Sequence, residues 1–164
     1  MQKERDDTKE YLKACEGNNR YRRTDKPIVN LGNSTIYMVT PTHTHPEQKA
    51  NLVRLSHTLL HVKNIHWIII EDSGNRTNLV SNFLKKSRLP HTHLHALTPP
   101  EIKLKYNDPT WLKPKGVLQR NAGLKWIREN LNPVQNNGVV YFADDDNTYS
   151  LEIFEEVGTF VQNS

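Results

Sequence analysis

The chain has 164 residues, of which 35% are hydrophobic and 24% charged; that is enough for one domain burying about 68–70% of its unfolded surface, and a second domain is not expected. Its net charge of +4 suits a polyanionic small ligand, but 18 acidic residues are interleaved with 22 basic ones and no aromatic-and-arginine stripe is present, which argues against a nucleic-acid partner. The single cysteine, Cys15, excludes an internal disulfide and a paired-cysteine metal motif, and the lack of a long apolar run or a hydrophobic N-terminal segment leaves a chain expected, as written, to be soluble.

Residues 1–33 open the chain with charges of both signs and few apolar side chains, a composition that cannot bury enough surface to fold alone and reads as a solvated stem or linker. A single folded unit is expected over 34–164. Thr35-Ile36-Tyr37-Met38-Val39 predicts a strand, and Leu52, Leu55, Leu59 and Val62 then recur at helical spacing behind Pro46, a favoured first-turn residue. Ile65-His66-Trp67-Ile68-Ile69-Ile70 is nearly all apolar, as a strand covered on both faces of a parallel sheet should be. Thr77 is placed to cap a helix carrying Leu79, Val80, Phe83 and Leu84.

A third strand is predicted from Thr92 to Leu97, followed by a Pro-rich loop from Thr98 to Pro114. Val117, Leu124 and Ile127 mark a third helix that Gly123 weakens. Val139-Val140-Tyr141-Phe142-Ala143 predicts the fourth strand, and a helix follows from about Ser150. Strand and helix alternate, so the fold class is α/β: an open, mostly parallel, twisted, Rossmann-like sheet with flanking helices. Trp67 and Trp126 read as core residues.

In such a sheet ligands collect outside the carboxyl ends of the strands. Four loops leave those ends: Thr40-Pro41-Thr42-His43, Glu71-Asp72-Ser73-Gly74, Thr98-Pro99-Pro100, and Asp144-Asp145-Asp146. Three adjacent carboxylates repel one another unless a cation or hydrogen-bond donors compensate, and hard oxygen ligands on a turn suit Mg²⁺ or Mn²⁺ bridging a diphosphate. An acidic turn capping the next helix would look the same. Asp72 could accept two hydrogen bonds from a nucleobase imide or a ribose diol, or start an Asx-turn with Ser73-Gly74. Arg120 could present its planar fork to phosphate or be an exposed helix arginine, and Lys115 adds a cation at a helix start.

His91, His93 and His95 alternate, so a strand would put them on one face; zinc is conceivable there, but the solvent side of an edge strand is the expectation. The sequons Asn33-Ser34-Thr35 and Asn75-Arg76-Thr77 would matter only in the secretory pathway. No Gly-x-Gly-x-x-Gly, phosphate-loop or Gly-x-Ser-x-Gly motif occurs, which removes support from dehydrogenase, nucleotide triphosphatase and hydrolase readings.

Taken in order, Thr35 to Thr42, Ile70-Glu71-Asp72, Gln119-Arg120-Asn121 and Val139 to Ser150 resemble the β-1,3-glucuronosyltransferases of glycosyltransferase family 43, over about Ser34 to Glu156. The resemblance implies a GT-A nucleotide-sugar fold, UDP-glucuronate as donor, Mn²⁺ as cofactor, and inverting transfer of glucuronic acid to a terminal galactose of a glycan, such as the proteoglycan linkage region. It implies that Asp146 ligates Mn²⁺, that Asp144 and Asp145 hold ribose and sugar hydroxyls, that Asp72 binds the uracil edge, that Arg120 contacts the donor, and that Pro41 and Thr42 border the nucleoside. His43 stands where the family carries a tyrosine stacked on uracil, and Lys115 where it carries arginine. By the same resemblance the membrane anchor of a Golgi enzyme and the acceptor half with its glutamate base lie outside these residues, so no catalytic base is assigned. A truncated, non-catalytic form that binds UDP-sugar or a full-length partner is the alternative, and a homodimer a further partner state.

Overall fold

The computed structural model describes residues 34–103, 109, 115–132 and 136–162. The charged segment 1–33 with Cys15 and Asn33, and residues 104–108 and 110–114 of the Pro-rich loop, lie outside the described residues. The described elements are β1 (Thr35–Thr42), α1 (Gln48–Leu59), β2 (Ile65–Glu71), α2 (Asn78–Ser87), β3 (His91–His95), α3 (Val117–Asn130), β4 (Gly138–Phe142) and α4 (Leu151–Gln162). The strands form one sheet in the order β3-β2-β1-β4, with every neighbouring pair parallel.

The two central strands are apolar almost throughout because both faces of the sheet are covered. Ile36 and Met38 of β1 and Trp67 and Ile69 of β2 pack on one face against Leu52, Leu55 and Leu59 of α1, Val80 and Leu84 of α2, and Phe154 of α4. On the other face Tyr37, Val39, Ile68 and Ile70 meet Ala122, Trp126 and Ile127 of α3. Two polar groups in this interior satisfy each other: the Trp67 indole N–H donates to Thr40 Oγ1 at 3.0 Å. Burying a hydroxyl without such a partner would cost about 1–3 kcal/mol.

Several boundaries differ from those the sequence predicts. β1 continues through Pro41 to Thr42, so Thr40 to Thr42 are strand rather than loop. Proline is tolerated there because β4 pairs with β1 only as far as Val39↔Phe142, leaving the ladder beyond to β2 alone. Pro46 stands outside α1, in the turn that brings Gln48 N–H onto His45 O at 3.1 Å, and Glu47 is the N-cap. β3 begins at His91 and ends at His95, since Trp67 N–H takes Pro90 O before it and the chain then turns towards α3. Thr77 caps α2 as predicted, its hydroxyl oxygen accepting from Val80 N–H at 3.3 Å. Trp126 is half-buried rather than a full core residue, its indole stacked on His66 with centroids 5.7 Å apart.

Gly116, at the N-cap of α3, has φ of 72° and lies against Pro41: a Cβ there would stand 3.1 Å from the proline ring and 2.8 Å from Arg120 Nη1. Only glycine gives both the left-handed turn and the close approach. The start of α3 is thereby set down on the end of β1.

Candidate functional site

Because the chain runs outward from β1 through β2 to β3 and then returns to place β4 on the other side of β1, the strand order reverses between β1 and β4. A crevice opens at that point in an open parallel sheet, outside the carboxyl ends. Thr42 ends β1 there, and Asp144, Asp145 and Asp146 follow β4.

The three aspartates go to three different neighbours. Asp145 is 7% exposed, and its Oδ2 accepts from Thr42 Oγ1 at 2.6 Å; Thr42 Oγ1 in turn accepts from Gln48 Nε2 at 3.1 Å. Burial pushes the Asp145 carboxyl above its ordinary range and Asp146 adds to this, while the Thr42 hydrogen bond and the nearby His45 and His43 rings pull it back. Asp144 is ion-paired with Arg120, whose Nη1 also donates to Lys115 O at 2.9 Å. The turn between them is held by Tyr149, whose hydroxyl accepts from Asp144 N–H at 2.8 Å. Burial raises the Tyr149 pKa above its ordinary alkaline value, so the hydroxyl is protonated throughout the physiological range with or without the shift.

Asp146 is exposed, and its carboxylate has no partner among the described residues. Only its backbone oxygen is engaged, by Arg54 Nη2 at 2.6 Å. Among the described residues no three histidine, cysteine or acidic side chains converge as a cation cage. One outward carboxylate on an ordered turn nevertheless fits an Mg²⁺- or Mn²⁺-type ion, which keeps several waters and is held by one or two carboxylates plus the phosphates of a ligand.

Asp72 follows β2 and is half-buried. Its N–H donates to Thr42 O at 2.8 Å and its Oδ1 accepts from Thr98 N–H at 2.7 Å. The carboxylate thus bonds across to the β3–α3 connection rather than forming an Asx-turn with Ser73-Gly74. Pro41 is half-buried beside Gly116, Lys115 is exposed, and His43 is exposed with its ring stacked on His45 at 4.6 Å. Arg120 is a paired residue rather than a free helix arginine. All the candidate residues lie on or beside strand ends at one edge of the sheet.

The alternating histidines behave differently from the expectation. β3 is an edge strand, but the His93 side chain is only 8% exposed and its Nε2 lies 2.5 Å from Glu71 Oε1, so it does not face solvent. His91 Nδ1 turns back to Leu89 O at 2.8 Å and His95 is exposed.

Sequence reasoning missed four residues that shape this edge: Gln48, Arg54, Gln119 and Tyr149. Gln119 is 1% exposed and donates from Nε2 to Ala96 O at 2.6 Å and to Thr98 Oγ1 at 3.1 Å, fixing the loop that meets Asp72. Its signal in the sequence is its place in the Gln119-Arg120-Asn121 stretch, where it carries no assigned role. Tyr149 lay inside a motif already noticed for its aspartates.

Fold and site together place the chain among the open α/β proteins whose ligands enter at the switch point, here with an acidic, cation-flanked mouth. Residues 55–162 match the family model described as glycosyltransferase family 43. The chain belongs to glycosyltransferase family 43. It is 52% identical over 131 residues to galactosylgalactosylxylosylprotein 3-beta-glucuronosyltransferase sqv-8 of Caenorhabditis elegans, covering 80% of this chain and 36% of that protein. To the human galactosylgalactosylxylosylprotein 3-beta-glucuronosyltransferase 1 it is 50% identical over 124 residues, 75% of this chain and 37% of that one. To the mouse galactosylgalactosylxylosylprotein 3-beta-glucuronosyltransferase 2 it is 47% identical over 147 residues, 89% and 43% respectively. The chain thus spans well under half the length of these curated relatives. Among the described residues no helix is long and apolar enough to cross a membrane.

Proposed function

We propose that residues 34–164 are the donor-binding half of a glucuronosyltransferase that moves glucuronic acid from UDP-glucuronate to a terminal galactose of a glycan, with inversion and with Mn²⁺ as cofactor. The observation that carries this reading is the division of labour in the aspartate triplet: Asp144 is paired with Arg120, Asp145 is buried on Thr42, and Asp146 is exposed without a partner. An acidic turn serving only as a helix cap would not need three separate arrangements.

In this reading Asp72 accepts from the uracil imide and Pro41, Thr42 and His43 border the nucleoside. Asp144 and Asp145, held by Arg120 and Thr42, accept from ribose and sugar hydroxyls. Arg120 and Lys115 add positive charge beside the donor phosphates, where a charge-assisted bond is about twice as strong as a neutral one. Asp146 is the protein ligand for Mn²⁺, which when bound neutralises the charge that develops on departing UDP. Because every one of these groups acts on the donor, the base that takes the proton of the attacking hydroxyl belongs to the acceptor side. The names of the relatives and the 47–52% identity support glucuronosyl transfer, and a Golgi setting follows only from the family resemblance.

Calorimetry of UDP with the chain, with and without Mn²⁺, tests the reading. Binding is expected to need Mn²⁺ and to be lost or strongly weakened in Asp146→Ala. Equal UDP affinity in the presence and absence of Mn²⁺ overturns it.

A further inference from the structure

One buried polar group is left over by the site just described. Glu71, the last residue of β2, is 1% exposed, and its Oε2 is the one buried side-chain polar atom among the described residues that lacks a hydrogen-bond partner. Its other oxygen is heavily used: Oε1 accepts from Thr77 N–H, at the start of α2, at 2.9 Å, and from His93 Nε2 on β3 at 2.5 Å. The far nitrogen of the same ring, His93 Nδ1, lies 3.4 Å from Ser81 Oγ on α2. One carboxylate oxygen therefore joins the end of β2, the edge strand and the helix that follows. A carboxylate this buried loses its hydration, and a half-satisfied polar network inside a protein is less stable than an apolar one of the same shape. Stability alone does not account for a glutamate here.

Its location offers another account. Side chains alternate along a strand, so Glu71 points to the α1–α2 side of the sheet with Trp67 and Ile69, and Asp72 to the α3 side with Ile68 and Ile70. The two neighbours hold the strand exit from opposite faces. Above the sheet Asp72 Oδ1 meets Thr98 N–H; below it Glu71 Oε1 meets Thr77 and His93; between them Glu71 O accepts from Ala96 N–H at 2.9 Å. The peptide between residues 71 and 72 is itself pinned, its carbonyl by Ala96 N–H and its N–H on Thr42 O, so the lower anchor acts through β3: without it His93 and the Ala96 to Thr98 segment behind it loosen, and the Thr98 amide that holds the Asp72 carboxylate moves with them.

We propose that Glu71 and His93 form a buried clasp that positions Asp72 for reading the uracil edge, which makes both of them positioning residues for base selection. The proposal rests on the donor-site reading of Asp72 given above. A carboxylate accepts the imide N3–H of uracil, whereas cytosine has an acceptor at that atom, so a well-placed Asp72 prefers UDP to CDP and a displaced one discriminates less.

The test uses the full chain with Mn²⁺ and measures UDP and CDP affinity by calorimetry, together with hydrogen exchange at the Thr98 amide. Glu71→Ala is expected to reduce the UDP:CDP affinity ratio about tenfold, the scale of one hydrogen bond to a charged group, and to speed Thr98 exchange. Glu71→Gln, which keeps an oxygen for Thr77 and His93, restores most of both. Should Glu71→Ala fail to fold, His93→Leu reads the same quantities, since it takes the ring away while leaving the carboxylate on α2. A folded variant with an unchanged ratio and unchanged Thr98 exchange overturns the proposal, as does equal weakening of both nucleotides, which marks a purely structural role. A wild-type chain that binds UDP and CDP alike overturns the uracil reading of Asp72 instead, and the Thr98 amide then decides the clasp alone.

Discussion

Arg120 of α3 and Asp144 behind β4 are ion-paired at the mouth of the crevice, and the same guanidinium reaches the Lys115 carbonyl at the start of its own helix. The pair is part-exposed, with 28% and 46% of the two side chains accessible, so its contribution to stability is small, at most about 1 kcal/mol. Its value is in holding a cation and a carboxylate ready at fixed places. Arg120→Met is therefore expected to leave the melting temperature nearly unchanged while weakening UDP binding about tenfold or more. Arg120→Lys, which keeps charge but loses the fork, should fall between. Wild-type affinity in Arg120→Met, measured by calorimetry, would remove Arg120 from the donor site.

Thr42 and Asp145 present the opposite balance, since both are buried and their contact spans 103 residues of sequence. Thr42→Val keeps the shape of the side chain but leaves a buried carboxylate without its hydroxyl donor and Gln48 without its acceptor. A loss of about 1–3 kcal/mol is expected in denaturant unfolding. A change within about 0.5 kcal/mol of zero would show that Asp145 is already solvated, contrary to its 7% exposure.

The contrast between these two pairs explains what the sequence discloses. Ile65 to Ile70 announce a strand because covering both faces makes all of its side chains but His66 apolar, and Thr77 announces a helix because a cap is a local hydrogen bond. The aspartate triplet is conspicuous for a similar reason, its unfavourable crowding being visible within three residues. Glu71, Gln48 and Gln119 are not conspicuous: each is a polar residue whose burial depends on a partner that only the fold supplies, His93 of β3 for Glu71, Ala96 23 positions back for Gln119, and Thr42 at the end of β1 for Gln48. Periodicity also misjudges His93, because the solvent face of an edge strand becomes an interior once α2 lies across it and Glu71 turns to meet the ring.

Gly123 shows the same limit from the other direction. In a helix glycine is less favourable than alanine by about 1 kcal/mol, so propensity alone recommends Gly123→Ala. A Cβ at that position would lie 2.8 Å from Val39 Cγ1 and 3.1 Å from Ile70 Cδ1, both buried side chains of the central strands. Overpacking of this kind costs about 1–3 kcal/mol. Gly123→Ala is thus expected to destabilise the chain and lift α3 from the sheet, with weaker UDP binding through Arg120 one turn away. A raised melting temperature would mean that α3 approaches the sheet less closely than these distances state.

Two histidines make stability depend on pH below neutrality. His66, stacked on Trp126 and 2.9 Å from Thr92 Oγ1, has its pKa lowered chiefly by burial and then by His91. His93 is also lowered chiefly by burial; Glu71 opposes the shift, and Arg76 and His91 reinforce it. A folded pKa below the unfolded value, about 6.5, means that the unfolded chain binds more protons in that range, so stability rises with pH there. The contribution is complete above about pH 6.5 and is lost as pH falls through the lowered values. The melting temperature is expected to drop between pH 7.5 and 5.5, and to drop less in His66→Gln, which cannot take up the proton. Asp145 contributes with the opposite sign and at lower pH, because its raised carboxyl gains a proton in the folded state first and so relieves its burial cost as acid is added. A melting temperature that is flat from pH 7.5 to 5.5 in wild type would show that neither ring is desolvated as its packing describes.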